Sequence, residues 1–346
     1  MPAADPQAEP NAKARPSGRG WLLALGAALL IAIIAANDVH AIVEALLEAR
    51  FAILGVLAAH LLVTLTAAEA WRVLLPRADR PGLWISFRLR LIKESINSLL
   101  PVAQVGGDVV RARLAVGPAL SLKTSAASCL IDAVISLVGL ALFILSGLLA
   151  ASAVVTDPRL DRLALQLAIA GGLFTAGVVA AERLGALRLL DRVTARSEGV
   201  LGRLSGLGAE VAALSARKLG TVGCVLWHLA AWGLGVFETW VALHALGIEA
   251  SVGEAFVLES LAQGARAIGF AVPGALGIQE GGYLLICSML GIPPDKAVAL
   301  SLIRRLRELV LGLTGLAIWR FKTPPLPLDP AEEALQAEAG RSGTPL

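Results

Sequence analysis

Six apolar runs, each long enough to cross a bilayer, govern what this chain can become: residues 21–37, 51–75, 120–151, 163–181, 221–246 and 297–319. A helix needs roughly 20 such residues to span hydrocarbon. Charged residues make up 16% of the 346-residue sequence, with a mean hydropathy of +0.73, against about 25% charged in soluble domains. The expected class is therefore an all-α polytopic membrane protein. Residues 1–20 and 323–346 are Pro-, Ala- and charge-rich and read as disordered cytoplasmic tails. Residues 21–322 then form a single membrane domain. The run at 21–37 has the flanks of a signal peptide, but more spans follow it and no clean small-x-small cleavage site precedes a soluble domain. An uncleaved first span is expected.

Two more apolar regions, 83–116 and 252–291, are interrupted. The first contains NSLLPVAQVGGDVVRARLA and the second FAVPGALGIQEGGYLL. Non-helical backbone at membrane depth survives only when it is buried in protein or lines a wet cavity, because lipid cannot satisfy its N–H and C=O groups. Both regions read as re-entrant helical hairpins.

Loop charges give an orientation, since short Lys/Arg-rich loops stay cytoplasmic. Segment 38–50 sets Asp38, Glu44 and Glu48 against Arg50 and faces out. Arg77, Arg80, Arg88, Arg90 and Lys93 stand against Asp79 and mark an inside loop. Segment 182–218 carries seven basic residues and is also inside, whereas 248–262 has Glu249, Glu254 and Glu259 without Lys or Arg and faces out. Six spans plus two hairpins, with both termini cytoplasmic, satisfy every loop. Within 182–218, Val200, Leu204, Leu207, Val211 and Leu214 form one helical stripe, suited to a lipid surface or to the protein's own core.

The two interrupted regions match each other. PVAQVGGD (101–108) aligns with PGALGIQE (273–280) at an offset of 172, and Ser125, Asp132 and Gly139-Leu140-Ala141 align with Ser301, Glu308 and Gly315-Leu316-Ala317 at 176. The order span, broken hairpin, span recurs over about 51–151 and 221–320, and the leading spans are three crossings apart. The halves are thus expected to be inverted, as in transporters whose substrate sites lie between broken helices from two repeats.

SLIRRLRELVLGLTGL puts Arg304, Arg305, Arg307 and Glu308 in the middle of the last run. Each costs about 2.5–3.5 kcal/mol if it faces lipid, so they must face protein, water or a ligand. Arg304, Arg307 and Glu308 share one helix face. One reading pairs them with Asp132, Asp108 or Glu280 across the repeat, and the other has them touch lipid head groups or gate a cavity. Arg111 and Arg113 suit either snorkelling at the cytoplasmic surface or substrate contact. Glu69 and Arg72, one turn apart, form a local pair. His228, Glu238 and His244 fit a proton relay or plain hydrogen bonds to neighbours. Asn97, Gln104 and Gln279 offer amides to a cavity, Asp108 and Glu280 carboxylates, and Gly106, Gly107, Gly277 and Gly281 free backbone, with Pro101 and Pro273 breaking the helices. Cys129, Cys224 and Cys287 lie far apart, and no metal-ligand spacing, nucleotide loop or nucleophile elbow is present. No cofactor and no catalytic group are expected, and a net charge of +3 gives no ground for nucleic acid.

KESINSLLPVAQVGGDVVRARLA, PGALGIQEGGYLL and GIPPDKAVALSLIRRLREL resemble the hopanoid biosynthesis-associated membrane proteins, within the flippase-like group that includes the membrane part of lysylphosphatidylglycerol synthases. The resemblance runs from about Leu91 to Trp319, and Asp108 stands where that group is expected to carry glutamate. It implies a bacterial inner-membrane protein that moves hopanoids, rigid triterpenoid lipids, toward the outer membrane, with membrane lipids and hopanoid enzymes as partners. Lysyl transfer is not implied, since it belongs to a soluble C-terminal domain and about 26 residues of tail follow Arg320 here. A membrane-embedded transferase or synthase subunit acting on a phospholipid or polyprenyl lipid, and a scaffold for hopanoid enzymes, are the alternatives.

Overall fold

The computed structural model describes residues 39–48, 51–100, 105–154, 205–269, 272 and 275–322, with Ile31, Ala35, Gly177 and Arg192. Apart from those four residues, the expected tails, the runs at 21–37 and 163–181 and the linker up to 204 lie outside the described residues, as do Pro101, Gln104 and Pro273.

Ten α-helices and no strand occur among the described residues: α1 (Val39–Glu48), α2 (Ala52–Leu74), α3 (Leu83–Leu99), α4 (Gly106–Leu114), α5 (Leu122–Val154), α6 (Leu207–Ser215), α7 (Lys218–Ala245), α8 (Val252–Ile268), α9 (Ile278–Met289) and α10 (Pro294–Lys322). Ile53–Leu74, Leu122–Ala151 and Lys218–Ala245 are long and apolar enough to cross a membrane. Helix α10 is long enough at 29 residues, but its central charges cut its apolar character. The chain is an all-α polytopic membrane protein.

Both interrupted regions are helix–break–helix units, α3–α4 and α8–α9, and the partners within each pack together. The breaks are held differently. The Gly107 N–H donates to Asn97 Oδ1 at 2.8 Å, so a side chain of α3 caps α4. A Cβ at Gly107 would collide with the Lys93 carbonyl and the Asn97 side chain, which is why glycine stands there. In the second hairpin the Gly277 N–H donates to Glu280 Oε2 at 2.6 Å. Ala275, just before it, has φ of 50°, a left-handed conformation that costs a non-glycine residue about 1 kcal/mol or more.

The helices fall into two like sets, α2–α5 and α7–α10. The leading helices α2 and α7 pack on each other, α3 packs on α10 as α8 packs on α5, and each hairpin lies against its own long helix. A Cβ at Gly55 would meet Val241 at 3.4 Å, and one at Gly223 would meet Val73 at 3.4 Å. Both the glycines and the valines are 168 positions apart. Since the start of α2 meets the end of α7, and the reverse, the two run antiparallel. That is the relation an inverted repeat requires.

One expectation needs correction, and one pair of alternatives is decided. Residues 39–48, expected as an outside loop, are helix α1, which buries Ile42 and packs on α10. Its apolar positions Val39, Ile42 and Leu46 follow helical spacing, a signal that loop-charge counting ignores. Of the stripe in the linker, Leu207, Val211 and Leu214 are buried against Ala70, Leu74, Ile131 and Cys224, so α6 faces protein, with Val200 and Leu204 outside the described residues.

Candidate functional site: two buried charge clusters

Each half encloses a cluster of opposite charges buried among its helices. The first is built on Asp132 of α5, which is fully buried. Arg111 Nη2 of α4 donates to Asp132 Oδ2 at 2.8 Å and to Asp108 Oδ1 at 3.0 Å. Lys93 Nζ of α3 lies 2.8 Å from Asp108 and 4.0 Å from Asp132, and Arg90 lies 3.8 Å from Asp132. Arg90 Nε also reaches Glu94 at 2.6 Å, and Thr64 of α2 donates to the same carboxylate at 3.1 Å. The Trp71 ring lies 5.2 Å below the Arg111 guanidinium, and its own N–H donates to Ser128. Arg90, Lys93 and Arg111 thus face Glu94, Asp108 and Asp132, three charges against three.

The second cluster is built on α10. Arg304 Nη2 reaches Glu259 of α8 at 2.5 Å and Arg304 Nη1 reaches Glu238 of α7 at 3.2 Å, with Thr239 Oγ1 donating to the same Glu259 at 2.5 Å. Arg307 pairs with Glu238, and Arg266 with Glu308. Arg305 joins Glu280 at 2.5 Å and Glu308 at 2.8 Å. Gln279 is buried and accepts from Arg266 at 3.4 Å. Arg266, Arg304, Arg305 and Arg307 face Glu238, Glu259, Glu280 and Glu308, four against four. Both clusters are neutral as sets, which the cost of an uncompensated buried charge requires.

Two histidine–carboxylate pairs cross between the halves. His60 Nδ1 of α2 lies 2.9 Å from Glu238 Oε2, and His228 Nε2 of α7 lies 2.9 Å from Asp132 Oδ1. His60 and His228 are themselves 168 positions apart, the offset of the α2–α7 contact. In each pair the carboxylate divides its oxygens, one to an arginine of its own half and the other to the histidine opposite. His228 lies ten residues beyond Lys218, about 15 Å along α7.

The sequence-predicted residues therefore sort into groups. Asp108, Arg111 and Asp132 meet in the first cluster, and Gln279, Glu280, Arg304, Arg307 and Glu308 in the second. Asn97, Gly106, Gly107 and Gly277 form the hairpin turns, with Asn97 serving as a cap, and the Gly281 N–H is taken by the Gly277 carbonyl. Of the three carboxylates expected to pair with α10, Glu280 does so, joining Arg305 at 2.5 Å, whereas Asp108 and Asp132 belong to the first cluster and Glu238 and Glu259 of α7 and α8 take Arg307 and Arg304. Arg111 is fully buried rather than snorkelling, while Arg113 is exposed. Glu69 and Arg72 pair at 2.6 Å as expected. His244 bonds the Trp240 carbonyl and stands apart from both clusters.

Glu259, Arg90 and Lys93, counted as loop charges on the sequence, are helix residues inside the clusters. Of those unforeseen contributors, only the wrong hydropathic neighbourhood could have signalled them: each sits among apolar residues at helical spacing.

Asp132, Cys224 and His228 bring three ligand-type atoms within 4.8 Å of one another. Arg90, Lys93 and Arg111 crowd the same carboxylate, so their positive charge opposes a metal cation there, and these residues are read as an ion-pair network. Among the described residues, Arg90 Nη1, Arg111 Nε and Nη1, Arg304 Nε and Arg307 Nε are buried donors without a hydrogen-bond partner in the protein. Such donors are ordinarily met by water or an anion.

An all-α bundle of two antiparallel-related halves, each holding a buried neutral charge cluster, defines a polytopic membrane protein with a polar interior. The chain belongs to the lysylphosphatidylglycerol synthase transmembrane-region family, whose model matches residues 21–315. No curated protein and no solved structure gives a significant match.

Proposed function

We propose that this protein moves a lipid across or out of the bacterial inner membrane, without covalent chemistry of its own. The observation that carries the proposal is the pair of neutral, buried charge clusters, one per half, joined through histidines at the helix pair that relates the halves. Ionisable residues inside a membrane are costly and mark substrate or ion paths. Inverted repeats are the architecture in which such paths alternate between two faces. Membership in a family named for the membrane region of a lipid synthase supports lipid as the cargo.

The resemblance of the hairpin motifs narrows the cargo to hopanoids moving toward the outer membrane, with both termini in the cytoplasm. The polar end of an extended hopanoid could not be buried unpaired without several kcal/mol of cost, and Asp108, Gln279 and Glu280 beside the hairpin breaks are the groups to receive it. Deleting the protein is expected to leave total hopanoid unchanged while depleting the outer membrane, measured in each fraction after density-gradient separation. An unchanged distribution, or a fall in total hopanoid, contradicts this cargo. A fall in total would favour the second reading, a subunit of a membrane-embedded transferase, which the synthase in the family's description supports.

A further inference from the structure

We infer that the working units of this protein, if it moves lipid as proposed, are not its two sequence halves but two bundles that each take one leg from each hairpin. The charged seam between these bundles is then the path of the lipid head group. One bundle is α3, α9 and α10. The other is α8, α4 and α5, its equivalent under the repeat.

Each bundle is held by contacts between sequence halves. In the first, α3 lies directly on α10. A Cβ at Gly315 would collide with the Ser95 side chain and the Leu91 carbonyl, and one at Gly312 with Leu99. Ser95 Oγ reaches the Leu311 carbonyl at 3.4 Å. In the second, α8 lies as directly on α5. A Cβ at Gly147 would collide with Ser260, one at Gly264 would meet Ile144 at 3.4 Å, and the Phe143 and Phe256 rings pack edge to face. Ile144 and Gly312 are 168 positions apart, so the two crossings are counterparts. Small residues that let backbones approach closely make the tight joints of a membrane bundle. The second legs are tied to the same bundles. Glu280 of α9 joins Arg305 of α10 at 2.5 Å, and Arg111 of α4 joins Asp132 of α5 at 2.8 Å. The Ser125 hydroxyl of α5 also donates to the Ala112 carbonyl of α4 at 2.8 Å.

The two bundles face each other largely through ion pairs. Lys93 of α3 lies 2.8 Å from Asp108 of α4, and Arg90 lies 3.8 Å from Asp132 of α5. Arg304 of α10 lies 2.5 Å from Glu259 of α8, and Arg266 of α8 pairs with Glu308. Both charge clusters therefore lie on this seam. The apolar core crosses it too, with Ala262 of α8 and Tyr283 of α9 in one cluster. Close backbone approaches across the seam, Gly107 to the Lys93 carbonyl and Gly282 to Ala265, lie beside the two hairpin breaks. Each break links one bundle to the other and is placed as a pivot.

Parted, the first bundle would face the gap with Arg90, Lys93 and Arg304, and the second with Asp108, Asp132 and Glu259. Buried charges without partners are costly, so a head group entering the seam must both donate and accept hydrogen bonds. Hydroxyl groups do both without adding charge, which fits a polyol head. Arg90 Nη1 and Arg304 Nε already lack a hydrogen-bond partner in the protein and can donate to its oxygens.

The test uses full-length protein with Cys129, Cys224 and Cys287 replaced by alanine. Spin labels are attached to cysteines introduced in pairs at four exposed positions: Trp84 and Leu285 in the first bundle, Leu137 and Val252 in the second. Double electron–electron resonance in lipid nanodiscs should give one separation within a bundle, for Trp84 with Leu285 and for Leu137 with Val252. Across the seam, Trp84 with Leu137 and Leu285 with Val252 should each give two. Sequence halves moving as units give the reverse, and any pattern other than the expected one overturns the inference. In proteoliposomes, a disulfide between Leu99→Cys and Gly312→Cys joins the sequence halves inside one bundle. A fluorescent polyol-headed lipid should then move as fast in the oxidised protein as in the reduced, and loss of movement on oxidation overturns the bundles. Ile144→Cys with Gly264→Cys repeats the test in the other bundle. A phosphate-headed lipid moving as fast as the polyol-headed one, or faster, overturns the head-group assignment. If the cysteine-free protein moves neither lipid, the lipid reading fails, while the spin-label separations still decide the bundles.

Discussion

The two halves share a backbone plan and reverse its charges. In the first, the hairpin is the cationic partner, with Arg90, Lys93 and Arg111 converging on one carboxylate, Asp132, in the long helix. In the second, the long helix α10 is the cationic partner, with Arg304, Arg305 and Arg307 answered by Glu259 and Glu280 of the hairpin and Glu238 of α7. What the halves keep in common is neutrality and the placement of a carboxylate at Asp108 and Glu280, and at Asp132 and Glu308. The difference shows that a buried set can exchange which helix bears which sign, provided the sum stays zero. It also explains why α5 keeps the apolar character of a membrane span and α10 does not: one carboxylate in 33 residues is diluted, four adjacent charges in 29 are not.

The largest effect is expected at the most sealed point of the comparison. Asp132→Asn leaves Arg111 fully buried with its main counter-charge gone, and breaking such a pair costs about 3–5 kcal/mol. Protein abundance and thermal stability in detergent should fall together, and replacing Arg111 by Met in the same chain should recover part of the loss. Wild-type-like stability of Asp132→Asn alone would mean that the first cluster is not the strict neutral set described. Glu308→Gln probes the second half, where charge is shared more widely. Arg305 retains Glu280, Arg307 retains Glu238 and Arg266 retains Gln279. The cost is expected near 1.5–3 kcal/mol, the worth of hydrogen bonds to a charged group, with a folded, inserted protein whose lipid movement is impaired. If lost abundance accounts for all the lost activity, this cluster is structural only.

Gly107→Ala tests the hairpin turn. The added methyl would strike the Lys93 carbonyl and the Asn97 cap, and overpacking of this kind costs about 1–3 kcal/mol. Faster hydrogen exchange confined to α3 and α4 should report it. The smallest effect belongs to the start of α8, where Ser251 and Glu254 form a reciprocal cap. Ser251→Ala should cost about 0.5–2 kcal/mol by thermal unfolding. The Ser251 side chain and backbone hold the Glu254 carboxyl below its ordinary 4.5. That stabilisation is present at neutral pH and fades as pH falls through the lowered value, so the gap between wild type and variant should narrow in acid, while the bond from the Glu254 N–H to Ser251 Oγ keeps it from closing.

Much of this architecture was legible in the sequence. Hydropathy located α2, α5 and α7 to within a few residues, and Pro and Gly located both hairpin breaks, because lipid leaves the backbone few choices. The repeat was legible through carboxylates at matched offsets. The partners were not. Counting loop charges treats Arg90, Lys93 and Glu259 as if each stood in water, and only their apolar neighbours at helical spacing hint that α3 and α8 carry them inward. The α2–α7 pairing of glycine with valine, and of one histidine with the other at the same offset of 168, is visible in the sequence only once the hairpin offsets of 172 and 176 are allowed to differ between elements.

The central claim is that two charge-bearing halves together move lipid, and it is tested most directly by reconstitution. Purified full-length protein in sealed liposomes, loaded with a tail-labelled fluorescent lipid, is exposed to an impermeant reductant from outside. Wild-type protein should render the inner-leaflet label accessible over time, while Glu308→Gln, at equal reconstituted amount, should leave it protected. Protection by the wild type equal to that in protein-free liposomes, for phospholipid and extended hopanoid alike, would contradict the account.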